Sequence, residues 1–282
     1  MTMSRKILSE AELAAYHRDG FVIPKYRLPA DKVALLQRLA QALVDNNPDF
    51  TNSPMTAPHV PGSGSQKLKS SPEWMEVATY PDLLDIAEQI MGPDIILWGT
   101  TLFYKKARKG LETPWHQDHR HYPISPMATT TIWIAVTECT TANGCLRLIP
   151  GSHKVGEPME HHITDDLTRF IQSSIPPDRI DESRAVDAVL QPGELVIFDA
   201  PIIHGASPNS GETARCGYAL RLMPATSHYD HDDPGIADAR HEKGAGQHLR
   251  PLILARGVDR SGLNDFKRAH PAAPNAGIEP QA

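Results

Sequence analysis

Apolar and polar positions along this chain follow two periods, and the change between them falls near Ile95. Before it, the spacing is helical. Ser9-Glu10-Ala11-Glu12 reads as a capping box that opens a helix through His17, and Gly20 stops it. Phe21-Val22-Ile23 predicts a short strand. Pro29-Ala30-Asp31 starts a second helix whose Val33, Leu36, Leu39, Ala40 and Leu43 recur at helical spacing, up to Asn46-Asn47-Pro48. That stripe is core packing. Residues 49–70 are rich in Pro, Ser, Gly and Thr without a period, which predicts a long loop. Two more helices are expected, over 72–79 and 82–91, closed by Gly92-Pro93.

From Ile95 onward the pattern is that of short strands between turn signals. Strands are predicted over Ile95–Tyr104, around residues 115–118, and over Thr129–Thr137 and Cys145–Ile149. Further ones are predicted over Val186–Leu190, Glu194–Phe198 and Arg215–Met223. Asn143-Gly144 is a strong turn signal, and Gln191-Pro192-Gly193 separates two of the strands. Residues 155–185 are polar and irregular, with a helix expected near Asp165–Gln172. Residues 269–282 are Ala- and Pro-rich and expected to be disordered. The fold class expected is mainly β with N-terminal helices, the strands forming a jelly roll. One domain is expected over 1–268: a helical part over about 9–91, the jelly roll over about 94–224, and an extension over 225–268.

Composition narrows the setting. The chain has 282 residues, 40% of them hydrophobic, enough for a sizeable core. A net charge of −6 without a long basic run argues against nucleic acid. Cys139, Cys145 and Cys216 are odd in number and lack CxxC spacing, so no disulfide framework is expected and a reducing compartment fits best. No apolar stretch approaches a membrane span, and no secretory h-region follows Arg5 and Lys6, so a soluble cytoplasmic protein is expected.

The candidate chemistry centres on Trp115-His116-Gln117-Asp118. On a strand, residues two apart share a face, so His116 and Asp118 can reach one metal ion. His204, after Phe198-Asp199-Ala200-Pro201, offers a third ligand. Two His and one carboxylate on one side of a metal form the facial triad of non-haem Fe(II) oxygenases, with positions left open for cosubstrate and O₂. Such an enzyme needs a cation for the distal carboxylate of 2-oxoglutarate. Arg215 and Arg221, of equal strand parity, compete for that role. His119-Arg120-His121 follows Asp118 directly and reads either as a solvated loop or as an anion site for substrate. If the strand continues, Arg120 points with Asp118 towards the metal. Lys67 and Lys69, at the end of the long loop, read as solvated lysines, with Lys67 also a candidate for substrate contact.

Taken together, Trp115-His116-Gln117-Asp118, Trp133, Asn143-Gly144-Cys145-Leu146, Ile149-Pro150-Gly151-Ser152-His153 and His204-Gly205 resemble the phytanoyl-CoA dioxygenase (PhyH) family of Fe(II)/2-oxoglutarate-dependent oxygenases. Asp19-Gly20-Phe21 resembles that family's N-terminus, and the likeness runs over roughly 9–224. It implies a double-stranded β-helix, the cupin-like jelly roll. It implies iron held by His116, Asp118 and His204, 2-oxoglutarate held by Arg215, and Trp133 lining the cosubstrate pocket. The reaction implied is hydroxylation of an unactivated C–H bond with O₂, giving succinate and CO₂. Related halogenases have Ala or Gly at the carboxylate position, so Asp118 favours hydroxylation over chlorination. The expected substrate is a small, anionic or zwitterionic metabolite, for example an aminophosphonate such as 2-aminoethylphosphonate. Two other readings stay open: a cupin-like zinc isomerase or hydrolase, and a catalytically silent binding protein on the same fold.

Overall fold

A computed structural model describes residues 5–154, 158–166, 168–234 and 246–271, apart from the side chain of His121. The elements in chain order begin with α1 (Glu10–Asp19), β1 (Phe21–Val22), α2 (Ala30–Asn46), β2 (Met55–Thr56), α3 (Trp74–Ala78) and α4 (Pro81–Met91). Strands follow: β3 (Ile95–Lys105), β4 (Thr113–His116), β5 (Ile124–Ser125), β6 (Thr130–Ala135), β7 (Leu146–Leu148), β8 (His162–Ile163), β9 (Ser173–Ser174) and β10 (Val186–Ala188). The last are β11 (Leu195–Asp199), β12 (His204–Ala206), β13 (Arg215–Pro224), β14 (His228–Tyr229) and β15 (Ile253–Arg256).

The local signals act as their chemistry dictates. Ser9 caps α1 in a reciprocal capping box with Glu12. Gly20 closes that helix in the left-handed conformation, at φ 82°. On α2, Leu36, Leu39, Ala40 and Leu43 are buried.

Two antiparallel sheets face each other. The larger runs β1-β11-β6-β13-β3-β15, with β2 paired to β3, and the smaller runs β10-β7-β12-β4. Strand alternation divides the larger sheet into two surfaces. Ile132, Ile134, Leu195, Ile197, Tyr218 and Leu220 point outward and pack against the helices. Trp133, Val196, Phe198 and Ala219 point into the space between the sheets. With both faces covered, these strands carry near-continuous apolar runs instead of a clean polar alternation. Burial on this scale, at about 25 cal/mol per Å² of apolar surface, is the main stabilising contribution.

The long loop over 49–70 contributes β2 to the larger sheet. No helix forms over Asp165–Gln172 among the described residues. Asp166 instead accepts hydrogen bonds from the amide and hydroxyl of Thr168, an Asx turn that competes with helix formation. The segment is a strap closed by the β8–β9 pair, His162 opposite Ser174. The expected disordered tail lies, from residue 272 on, outside the described residues.

Candidate metal centre and its cavity

β4 and β12 are antiparallel neighbours, and His116 and His204 are register partners across them. Their rings lie 4.2 Å apart between centroids. Each imidazole is oriented by its own backbone. His116 Nδ1 is 2.9 Å from the Pro114 carbonyl, and His204 Nδ1 is 3.1 Å from the Ile202 carbonyl. A carbonyl can only accept, so Nδ1 carries the proton and each Nε2 is left bare for a metal. The strand ends at His116. Asp118 opens a turn of 3-10 helix over Asp118–His121, and that turn, not a strand face, swings its carboxylate back. Asp118 Oδ1 sits 3.6 Å from His116 Nε2. The three candidate ligand atoms all lie within 4.8 Å of one another. Two neutral imidazoles and one carboxylate on one side of a point suit Fe(II).

The electrostatics favour that donor set. Burial alone would raise the Asp118 carboxyl, but its contact with His116 and the nearby Arg221 guanidinium outweigh it and hold the group well below the usual range. Burial, reinforced by the adjacent His116, pushes His204 down to about 4, so its ring is neutral at physiological pH.

Gln117, fully buried and between two of the candidate ligands in the chain, fastens the site to its surroundings. Its amide N–H donates to His161 Nε2 at 3.0 Å, its Oε1 accepts from the Met159 amide at 2.8 Å, and its Nε2 donates to the Pro201 carbonyl at 2.7 Å. One side chain thus ties the strap and the β11–β12 turn to the metal-site segment.

The cavity beside the three candidate ligands is lined from both sheets, the strap, the long loop and the C-terminal extension. Three arginines face it, Arg215, Arg221 and Arg250, against Asp118 as the one carboxylate among the described lining residues. Arg215 and Arg221 end one inward-facing row of β13 whose middle positions are Gly217 and Ala219. Arg215 stacks beside Trp133, 5.3 Å from the ring, and donates from Nε and Nη2 to the Gly144 carbonyl at 2.8 and 2.6 Å. Trp133 fills the space over Gly217, where a Cβ would overlap its ring at 1.8 Å. Arg221 donates to the Tyr122 hydroxyl at 2.8 Å and to Thr101 Oγ1 at 2.7 Å, and its Nη2 is 4.0 Å from Asp118 Oδ2. Trp98, the extra residue of a β-bulge where β3 meets β13, lies under it at 5.9 Å.

The cation cluster after Asp118 is not gathered at this cavity. Arg120 is exposed, and its Nη1 reaches the Met159 carbonyl at 3.4 Å. The reason is the 3-10 turn, which removes the strand parity that would have aimed Arg120 at the metal. His119 is half-buried with its amide on the Ala200 carbonyl, and neither it nor Arg120 lines the cavity. The side chain of His121 lies outside the described residues. Lys67 is exposed and away from the lining. Residues without a sequence signal take those places: Tyr122, Phe170, Gln172, Gln247 and Arg250. The last two come from the extension, whose only hint was an arginine and a glutamine in a polar stretch.

The chain matches the family model for phytanoyl-CoA dioxygenase (PhyH) over residues 16–217. An ectoine dioxygenase from Sphingopyxis alaskensis is 29% identical over 227 residues, covering 72% of this chain and 71% of that protein. The peroxisomal phytanoyl-CoA dioxygenase of Bos taurus is 27% identical over 169 residues, covering 58% of this chain and 50% of its own length. The chain thus matches about half the length of that relative. The crystal structure of EctD from S. alaskensis with 2-oxoglutarate and 5-hydroxyectoine superposes with a TM-score of 0.64 at 22% identity, covering 89% of this chain and 90% of that one. That likeness establishes the double-stranded β-helix fold. The chain belongs to the phytanoyl-CoA dioxygenase family, whose members are Fe(II)- and 2-oxoglutarate-dependent oxygenases.

Proposed function

We propose that this protein is an Fe(II)/2-oxoglutarate-dependent dioxygenase that hydroxylates a C–H bond of a small anionic or zwitterionic metabolite. The observation that carries the reading is a cavity with three arginines and one carboxylate, opening on two imidazoles whose Nε2 atoms are bare. His116, Asp118 and His204 would hold the iron. Bound iron, with 2-oxoglutarate and O₂, supplies the oxidising power, and succinate and CO₂ are the coproducts.

The chain's own residues set up the rest. The Pro114 and Ile202 carbonyls hold both imidazoles in one tautomer. Asp118 stays ionised and fills the ligand position, which favours hydroxylation. Arg215 takes the distal carboxylate of 2-oxoglutarate, and Trp133, Leu146 and Phe198 keep water from that end. Arg221 and Arg250, with Gln247 and Gln172, then offer charge and hydrogen bonds to an anionic substrate at the other end. The substrate cations proposed are thus Arg221 and Arg250, which line the cavity, and not the exposed Arg120. The ectoine relative acts on a small zwitterion, which supports a substrate of that size and charge. An aminophosphonate such as 2-aminoethylphosphonate has the same chemistry.

The test is a panel of small carboxylates, phosphonates and matched neutral analogues, assayed with Fe(II) for substrate-dependent succinate release. Anionic compounds are expected to drive release. Arg250→Ala should raise the substrate KM by about 10- to 100-fold, the loss of one charge-assisted hydrogen bond, and leave the 2-oxoglutarate KM nearly unchanged. Turnover confined to neutral compounds would overturn the anion reading. Zinc-dependent activity without succinate would overturn the dioxygenase reading.

A further inference from the structure

The 3-10 turn after His116 ends on Tyr122, whose amide donates to the His119 carbonyl at 3.2 Å. The turn brings the Tyr122 side chain back to the cavity wall, which it shares with Asp118. Its ring stands edge-on to Trp98, with centroids 4.4 Å apart. Trp98 is fully buried and donates from its indole N–H to Thr129 Oγ1 at 2.8 Å. The phenol is thus fixed from its ring side.

Arg221 decides which way the hydroxyl works. A phenol has one proton to donate and lone pairs with which to accept. Arg221 Nε donates to the Tyr122 oxygen at 2.8 Å, so the phenolic proton is left for another acceptor. Nε and Nη2 share one edge of the planar guanidinium, and Nη2 faces Asp118 Oδ2 at 4.0 Å. The hydroxyl and Oδ2 therefore lie side by side along that edge, and the phenol hydrogen-bonds to the Asp118 carboxylate. Nη2 itself is beyond hydrogen-bond distance of Oδ2, so the hydroxyl supplies the close contact. The other oxygen, Oδ1, faces His116 Nε2 at 3.6 Å.

From this geometry we infer that Tyr122 is a positioning residue, whose hydroxyl holds Asp118 Oδ2 away from the metal so that the carboxylate offers Oδ1 alone. The inference rests on the dioxygenase reading and deepens it at the same site. A carboxylate can bind a cation through one oxygen or through both. Octahedral Fe(II) with three protein ligands and a chelating keto acid keeps a single position for O₂, and a chelating Asp118 would take it. A charge-assisted hydrogen bond to Oδ2 opposes that rotation.

Infrared difference spectra of the protein with and without Mn(II) measure this directly. The asymmetric and symmetric carboxylate stretches lie farther apart for one-oxygen than for two-oxygen ligation. Wild type is expected to show the wide separation. Tyr122→Phe, which keeps the ring on Trp98, should narrow it and weaken Mn(II) binding by about 10- to 100-fold. Thr101→Val removes the hydroxyl that Arg221 Nη1 contacts at 2.7 Å, and should leave separation and affinity as in wild type. An unchanged separation in Tyr122→Phe would overturn the inference. So would the same change in both variants, which would mark a packing effect at Arg221. Wild-type protein that binds no Mn(II) would overturn the metal-site reading beneath it.

Discussion

Arg215 and Arg221 stand six residues apart on one face of one strand, both buried, both over an aromatic ring, yet they live in opposite electrostatic surroundings. Arg221 has an anion already, with Asp118 at 4.0 Å, and two neutral hydroxyl partners in Tyr122 and Thr101. Arg215 has the Gly144 carbonyl oxygen, a ring face and the buried Lys105 amine opposite. One end of the row is neutralised from within, and the other requires a ligand to neutralise it. Residue type and strand parity are identical at the two positions, so the difference comes wholly from what other elements bring to each end. That difference supports the proposal that the cosubstrate sits at the Arg215 end and the substrate at the Arg221 end.

The largest expected effect separates the two ends directly. Arg215→Ala should raise the apparent 2-oxoglutarate KM by about 30- to 1,000-fold, equivalent to about 2–4 kcal/mol for a buried bidentate contact. Arg221→Ala should act mainly on substrate KM. Steady-state kinetics varying each substrate in turn measures both, and a reversed pattern would exchange the two assignments.

Somewhat smaller is the pH signature of the strained end. Burial, reinforced by the Arg215 charge, pushes Lys105 in the folded chain down to about 6, against an ordinary lysine value of 10.5. Between those pH values the unfolded chain binds a proton that the folded chain does not, so wild-type stability rises with pH across the window. The cost is fully present below the folded value and fades as pH climbs towards the unfolded one. Lys105→Met removes that dependence. Chemical denaturation without cosubstrate should therefore show the variant gaining roughly 2–3 kcal/mol relative to wild type as pH falls from 9 to 7. A pH-independent difference would mean that this end carries no strained charge.

The smallest effect is expected at Arg120, which is exposed and not among the residues lining the cavity. Arg120→Ala should leave both KM values within about twofold and stability within about 0.5 kcal/mol, as for an ordinary surface change. A large rise in substrate KM would bring back the cation cluster beside Asp118.

Much of this protein was determined by sequence alone, wherever the physics is local. Hydrogen bonds three or four residues apart fix the capping box at Ser9 and the Gly20 stop, and apolar spacing fixes α2 and the strands of the jelly roll. The candidate ligands were legible for the same reason, since His116 and Asp118 lie two residues apart and His204 follows a Pro turn. Tertiary structure decided what depends on partners remote in the chain. A strand and a 3-10 turn are both open to Gln117-Asp118-His119-Arg120, and contacts from residues more than forty positions away hold Gln117 and select the turn. That one bend sends Arg120 out to solvent. Arg250 and Gln247 carry no local pattern, and they reach the cavity only because the chain after β13 folds back along the jelly roll. Lys105 reads in sequence as one of several lysines after a strand. Register with β13 sets its amine across from the Arg215 guanidinium, and register is fixed by burial of the whole sheet.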